Sequence, residues 1–324
     1  MTPALANVLP PRPEQMAEAV DHGVSLERIH ASMRHFGYDP DAEGITGIEY
    51  LPETRTVWWR DEHDMHGSCP LLIDPNEAKR IMDAECRRLL DRNWRTFARA
   101  SISGWSTASS REGTRKVRER IKSDVTAWAS GWAKSWMPGE DCDQKRTLML
   151  MGKPGCGKTH LAIAAMRAVV IHGVRCNTGA PRGFEPPTWE AWNVYDLIAT
   201  HKRSWDGSVP DPIPGCLTAD VLVLDDIGAH RMNEFTADLL QGLINGRYQN
   251  GYGLLILTTN AGSLSKGGGV DAFWNGMLTG DSDTASMIAR RVSSRLSEHS
   301  HLVPFGVMSA GGFKALPDWR REGK

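Results

Sequence analysis

The run Gly152-Lys-Pro-Gly-Cys-Gly-Lys-Thr159 has the residue types and spacing to hold a triphosphate. Its glycines let backbone N–H groups close around phosphate oxygens at a helix N-terminus, where the dipole favours an anion. Lys158 then reaches the terminal phosphates, and Thr159 offers its hydroxyl to Mg2+. The expected nucleotide contacts are Gly152, Pro154, Gly155, Cys156, Gly157, Lys158, Thr159 and His160. On these residues alone the ligand is ATP or GTP with magnesium.

A second group of residues completes the chemistry. Val221-Leu-Val-Leu-Asp-Asp226 is an apolar run ending in two carboxylates, and a buried strand of that kind delivers acid to the metal. Asp225 is expected to hold the magnesium, directly or through water. Asp226 is placed to polarise the attacking water as a base or an orienter. Asn260 follows the apolar run 254–258 and either hydrogen-bonds the water or γ-phosphate or forms a turn. Arg291 and Arg295 lie four apart on one helical face, either solvated or supplied in trans to the γ-phosphate of a neighbouring subunit.

These residues need a frame. Apolar strands are expected at 147–151, 221–224 and 254–258, with helices at 158–172, from Asp196 as N-cap, and at 233–249. Alternation of this kind predicts an α/β fold, a parallel sheet covered by helices on both faces. Upstream, 1–13 reads as a disordered leader, 14–36 as a helix, 45–60 as a hairpin, and 75–99 and 112–136 as helices. The acidic segment 139–143 marks the expected boundary. Residues 1–138 then form a smaller, mostly helical domain with a hairpin, and 139–324 the nucleotide-binding domain, with a helix before the P-loop from about residue 112. Connectors 173–187 and 261–284, the latter with Trp274, are long for their places.

The 324 residues suffice for two domains without disulfide or metal staples. Net charge of −1 is uninformative, but 79–122 holds 13 Lys or Arg against 5 Asp or Glu. That run suits a polyanion or a solvated face, and Trp94, Phe97 and Trp105 within it suit base stacking or packing. Six scattered cysteines fit a reducing cytoplasm. No window is long and apolar enough for a membrane span. His63, His66, Cys69 and Cys86 have ligand types for zinc, but ordinary surface histidines and free thiols explain them, and zinc is not predicted.

Taken together, Met151–Leu161, Asn193–Leu197, Val221–Gly228, Asn245–Tyr248, Thr258–Asn260 and Arg291–Leu296 resemble the AAA+ ATPases of the DnaC/IstB group over about 120–310. That group comprises replicative helicase loaders and the ATPase subunits of IS21-type transposition. The resemblance implies ATP as nucleotide, Asn260 as the sensor-1 residue, Arg295 as the arginine finger and Arg291 as a second trans-acting candidate. It also implies ATP-promoted self-association around single-stranded DNA and a replicative DNA helicase bound through 1–138. The alternatives are a transposition helper, and an assembly switch that hydrolyses ATP slowly because Asp226 is one methylene shorter than the family's usual Glu. A small-molecule kinase would need acceptor-side arginines on a lid instead.

Overall fold

The computed structural model describes residues 24, 26–35, 38–41, 45–51, 56–61, 66–72, 75–90, 92–107, 112–134, 145–176, 187–228, 233–249, 253–260, 280–309 and 312–316. The leader 1–13, the boundary at 139–143, His63, and most of connectors 173–187 and 261–284 with Trp274 lie outside the described residues. The chain divides into two compact units, residues 1–78 with 174–185, and 79–173 with 186–324. Residues 79–134 thus group with the P-loop.

In the first unit, helix α1 (Leu26–His35) covers an antiparallel sheet of β1 (Ile45–Leu51), β2 (Thr56–Asp61) and β3 (His66–Pro70), in that order. The expected hairpin is β1–β2, paired from Leu51 opposite Thr56. The third strand, His-Gly-Ser-Cys-Pro, has no apolar alternation to announce it. Ile29 and Met33 of α1 pack on Val57, Cys69 and Leu71. Arg28 Nε donates to the Leu72 carbonyl at 2.8 Å, and the Leu72 N–H donates to Ser32 Oγ at 3.0 Å. Cys69 is therefore a core thiol, its pKa pushed up to about 11 by burial.

The second unit is built on five parallel strands, β4 (Thr147–Met151), β5 (Trp189–Asn193), β6 (Val221–Asp225), β7 (Leu254–Thr259) and β8 (Ser300–Pro304). Their order is β5-β6-β7-β4-β8. Every residue of β4, β6 and β7 is buried, as strands covered on both faces require. Edge strand β8 was not foreseen. Between the strands run α4 (Lys158–Cys176), α5 (Val194–Ser204), α6 (Ile213–Thr218), α7 (Glu234–Gln249) and α8 (Asp283–His299). Helix α5 is capped by Asn193, whose Oδ1 accepts from the Tyr195 N–H at 3.0 Å, and not by Asp196 as expected. The strand ends on its own capping residue, so no separate turn is needed. A hairpin of β9 (Gly306–Ser309) and β10 (Gly312–Ala315) follows β8.

Ahead of β4 come α2 (Pro75–Leu89), a 3-10 helix (Arg92–Phe97) and α3 (Glu112–Lys134). The helix expected over 75–99 is thus broken near residue 91. Arg167, buried within α4, holds this region in place. Its guanidinium donates to the Ala98 carbonyl, to the Ala100 carbonyl at 2.8 Å, to Cys86 Sγ at 3.4 Å and to the Asp83 carboxylate. Arg120 of α3 donates to the Pro304 and Gly306 carbonyls at 3.1 and 2.8 Å. Of the basic run 79–122, Arg120 is spent this way, while Lys79, Arg80, Arg87, Arg88, Arg95 and Arg99 are exposed. Trp94 and Trp105 are buried, which gives both to packing.

Arg247 makes a comparable pin at the other end of the sheet. Buried in α7, it donates to the Cys216, Ala219 and Leu254 carbonyls at 2.7, 2.8 and 2.9 Å, and burial lowers its pKa to about 10. Arg247→Met should leave these carbonyls without a charged donor and cost roughly 3 kcal/mol of stability, read from urea unfolding. A loss too small to resolve would show that the pin does not hold the sheet edge.

Candidate active site

Parallel strands of this order bring the C-terminal ends of β6, β7 and β4 side by side, and the chemistry predicted from the sequence collects there. The P-loop leaves β4 at Gly152, whose N–H donates to the Thr259 carbonyl at 3.2 Å. A Cβ on Gly152 would come within 2.7 Å of Phe305 Cβ. Gly157 has φ +93°, and a Cβ there would lie 2.5 Å from the Trp105 indole nitrogen. Both positions need glycine for close approach, and Gly157 for its left-handed backbone as well. Trp105 and Phe305 meet edge to face at 5.8 Å, forming an aromatic wall behind the loop.

Two hydrogen-bonded chains connect the strand tips. In the first, Lys158 Nζ donates to the Lys153 carbonyl at 2.9 Å and to Asn260 Oδ1 at 2.7 Å, and Asn260 Nδ2 donates to Asp226 Oδ1 at 2.6 Å. In the second, Thr159 Oγ1 donates to Asp225 at 3.0 Å, and Thr258 Oγ1 donates to the same carboxylate. The Asp226 N–H donates to Thr258 Oγ1 at 2.9 Å, which ties the chains together. Asp226 is also the one non-glycine residue with positive φ among those described, at 61°. The Thr258 hydroxyl and the Asn260 amide hold it in that left-handed conformation. Thr258, missed as a site residue, is visible in the sequence only as part of the polar end of an apolar strand.

Burial pushes the Asp225 carboxyl above its ordinary value; donation from Thr258 opposes the rise, and the Asp226 charge adds to it. Asp225 and Thr159 together present hard oxygen donors beside a buried ammonium, a donor set that suits Mg2+ next to phosphate. The P-loop glycines and Lys158 suit the phosphates themselves.

Of the other predicted residues, Cys156 is buried within the loop, donating to the Lys153 carbonyl at 2.9 Å with its sulfur 3.9 Å from Lys158 Nζ, and Pro154 is exposed. His160 turns away from the loop, its Nε2 3.2 Å from the Ser101 carbonyl and its ring edge-on to Phe97. Arg291 and Arg295 sit on α8, which ends where β8 begins at Ser300, opposite Thr147 at the start of β4. Arg295 is one turn from that end. The tips that carry Lys158 and Asp225 lie at the other end of the strands. Among the described residues no three His, Cys, Asp or Glu gather as a metal cluster, and Cys86 is engaged by Arg167. No described helix is long and apolar enough to cross a membrane.

A family described as IstB-like ATP binding protein matches residues 140–310. An insertion-sequence IS21 ATP-binding protein of Pseudomonas aeruginosa is 32% identical over 159 residues. The match covers 49% of this chain and 49% of that protein, so the chain spans about half the length of the curated relative it matches. Among solved structures, the DnaC helicase loader aligns with a TM-score of 0.45 at 22% identity, covering 64% of this chain and 98% of that one. DnaI aligns with a TM-score of 0.42 at 18% identity, covering 65% and 89%.

The raised pKa of Asp225 has a measurable sign. Between the ordinary value of 3.8 and the folded value, the native state holds more protons than the unfolded chain, so stability falls as pH rises through that window. Above it the cost is constant. Asp225→Asn removes the ionisation, and without nucleotide it should melt higher than the parent at about pH 7, the gap closing toward about pH 4. Thermal unfolding against pH reads this directly; a gap independent of pH would mean the carboxylate is not strained by burial.

Proposed function

The chain belongs to the IstB-like ATP-binding family, and from that membership we propose an ATP-hydrolysing AAA+ loader that places a replicative DNA helicase on single-stranded DNA. The observation that carries the ATPase half is the pair of hydrogen-bonded chains Lys158–Asn260–Asp226 and Thr159–Asp225–Thr258. Lys158 would bind the terminal phosphates, and Thr159 and Asp225 would hold Mg2+, which would offset phosphate charge. Asn260, exchanged from Lys158 to the attacking water, orients it together with Asp226. The water attacks the γ-phosphorus, Asp226 accepts its proton, and ADP carries away the bridging oxygen. Asp226 is short and tethered to Asn260, which supports slow turnover and a nucleotide that acts chiefly as an assembly signal.

Position supports Arg295 as a group acting on a neighbour, since α8 carries it toward the end of the sheet away from its own P-loop, with Arg291 one turn earlier on the same helix as the second candidate. Single-stranded DNA as a partner is supported by an aromatic and basic group at the end of α5. Trp205 is 65% exposed and meets Phe235 edge to face at 5.4 Å, while Lys202 Nζ lies 5.1 Å from the Phe235 ring centroid and Arg203 is adjacent. Rings interleaved with cations stack bases and track phosphates without reading sequence.

A second reading, a helper ATPase that works with a transposase, is favoured by the IS21 relative. Both readings share the ATP site and differ in the partner.

Lys158→Ala should abolish ATP binding in a titration, and retained affinity would remove the P-loop assignment. Trp205→Ala should weaken binding of a labelled, unstructured oligonucleotide about tenfold or more by anisotropy. For the partner, the full chain with ATP is offered a purified replicative helicase and a transposase in parallel. Retention of the helicase alone supports the loader, and retention of the transposase alone replaces it with the second reading.

A further inference from the structure

Arg295 is half-buried and packs against a ring. Its guanidinium carbon lies 5.9 Å from the centroid of the Tyr248 ring, and among the described residues no carboxylate comes within ion-pair distance of it. His299, one turn further along α8, packs on the same ring at 4.3 Å between centroids. Tyr248 is itself 52% exposed, so the ring does little for the core. It is nevertheless fixed in place, because the preceding residue is Arg247, buried and bonded to carbonyls at the starts of β6 and β7. The α7 terminus that carries the ring cannot drift from the sheet.

An aromatic face and a carboxylate would constrain this arginine with opposite consequences. A carboxylate would neutralise the guanidinium and occupy the N–H edge that a phosphate needs. A ring restrains the long side chain through its face and leaves both the charge and the donors available. Resting on the composite-site reading above, we propose that Tyr248 is a positioning residue for Arg295. It holds the guanidinium ready at the subunit surface, so that the rotamer freedom of the arginine is already reduced before a neighbour's γ-phosphate arrives.

The test compares ATP turnover at rising chain concentration for the parent, Tyr248→Ala, Tyr248→Phe and Arg295→Ala. Tyr248→Ala should lower assembly-stimulated kcat about three- to fivefold with KM for ATP unchanged, and Tyr248→Phe should stay within about twofold of the parent. Mixing Tyr248→Ala with Lys158→Ala chains should restore turnover, since the second chain cannot bind ATP but presents an intact Tyr248–Arg295 pair to its neighbour. Damage to the pocket of the Tyr248→Ala chain itself would not be rescued. Parent-like turnover of Tyr248→Ala beside a dead Arg295→Ala, equal loss in Tyr248→Phe, or no rescue on mixing would each overturn the proposal. Parent-like turnover of Arg295→Ala would instead overturn the composite site on which it rests.

Discussion

The buried carboxylate of Asp225 is the constraint around which the second unit is arranged. An aspartate 5% exposed at the tip of a central strand is costly to ionise, and two threonine hydroxyls, Thr258 from the neighbouring strand β7 and Thr159 from the first turn of α4, donate to it. Thr159 follows β4 and Thr258 lies in β7, so both donors exist only if β4, β6 and β7 end at the same level. The registers Met151 opposite Thr259 and Leu224 opposite Leu257 provide that level. A slip of one residue would turn a leucine toward the site and Asp225 toward the core.

Order at the strand tips is kept from outside the sheet by buried arginines. Arg167 draws the segment 98–100 onto α4, and that segment leads to Trp105, whose indole fills the space beside Gly157. Lys122 of α3 donates to the Ser103 and Trp105 carbonyls at 2.8 and 3.3 Å. The residues before the P-loop are thereby part of its wall. Of the basic run 79–122, Arg120 and Lys122 are occupied in holding main-chain carbonyls, while Lys79, Arg80, Arg87, Arg88, Arg95 and Arg99 are exposed.

Legibility in the sequence followed locality. β4, β6, β7, the P-loop and the carboxylates at the end of β6 are readable because each is a contiguous run whose pattern and chemistry coincide. β8 is not, because Ser-His-Leu-Val-Pro is an edge strand that tolerates proline and half-exposure. β3 was hidden for a similar reason. Arg167 was silent because a single arginine in an apolar helix reads as solvent-facing, and its acceptors come from a segment 67 to 84 residues away. Asn193 lost its role to Asp196 because a strand that caps the next helix directly leaves no loop for the eye to place a boundary in.

The same strand geometry separates the two sets of charged residues. Helix α8 must run back along the sheet before β8 can pair in parallel with β4, so its last turn, with Arg295, faces the end where the strands begin. Lys158, Asp225, Asp226 and Asn260 occupy the end where they finish. If Arg295 acts on ATP, this placement favours ATP bound by a neighbouring subunit over its own. Turnover must then rise with the concentration of assembled chain, which makes the nucleotide a report on assembly before it is a source of work.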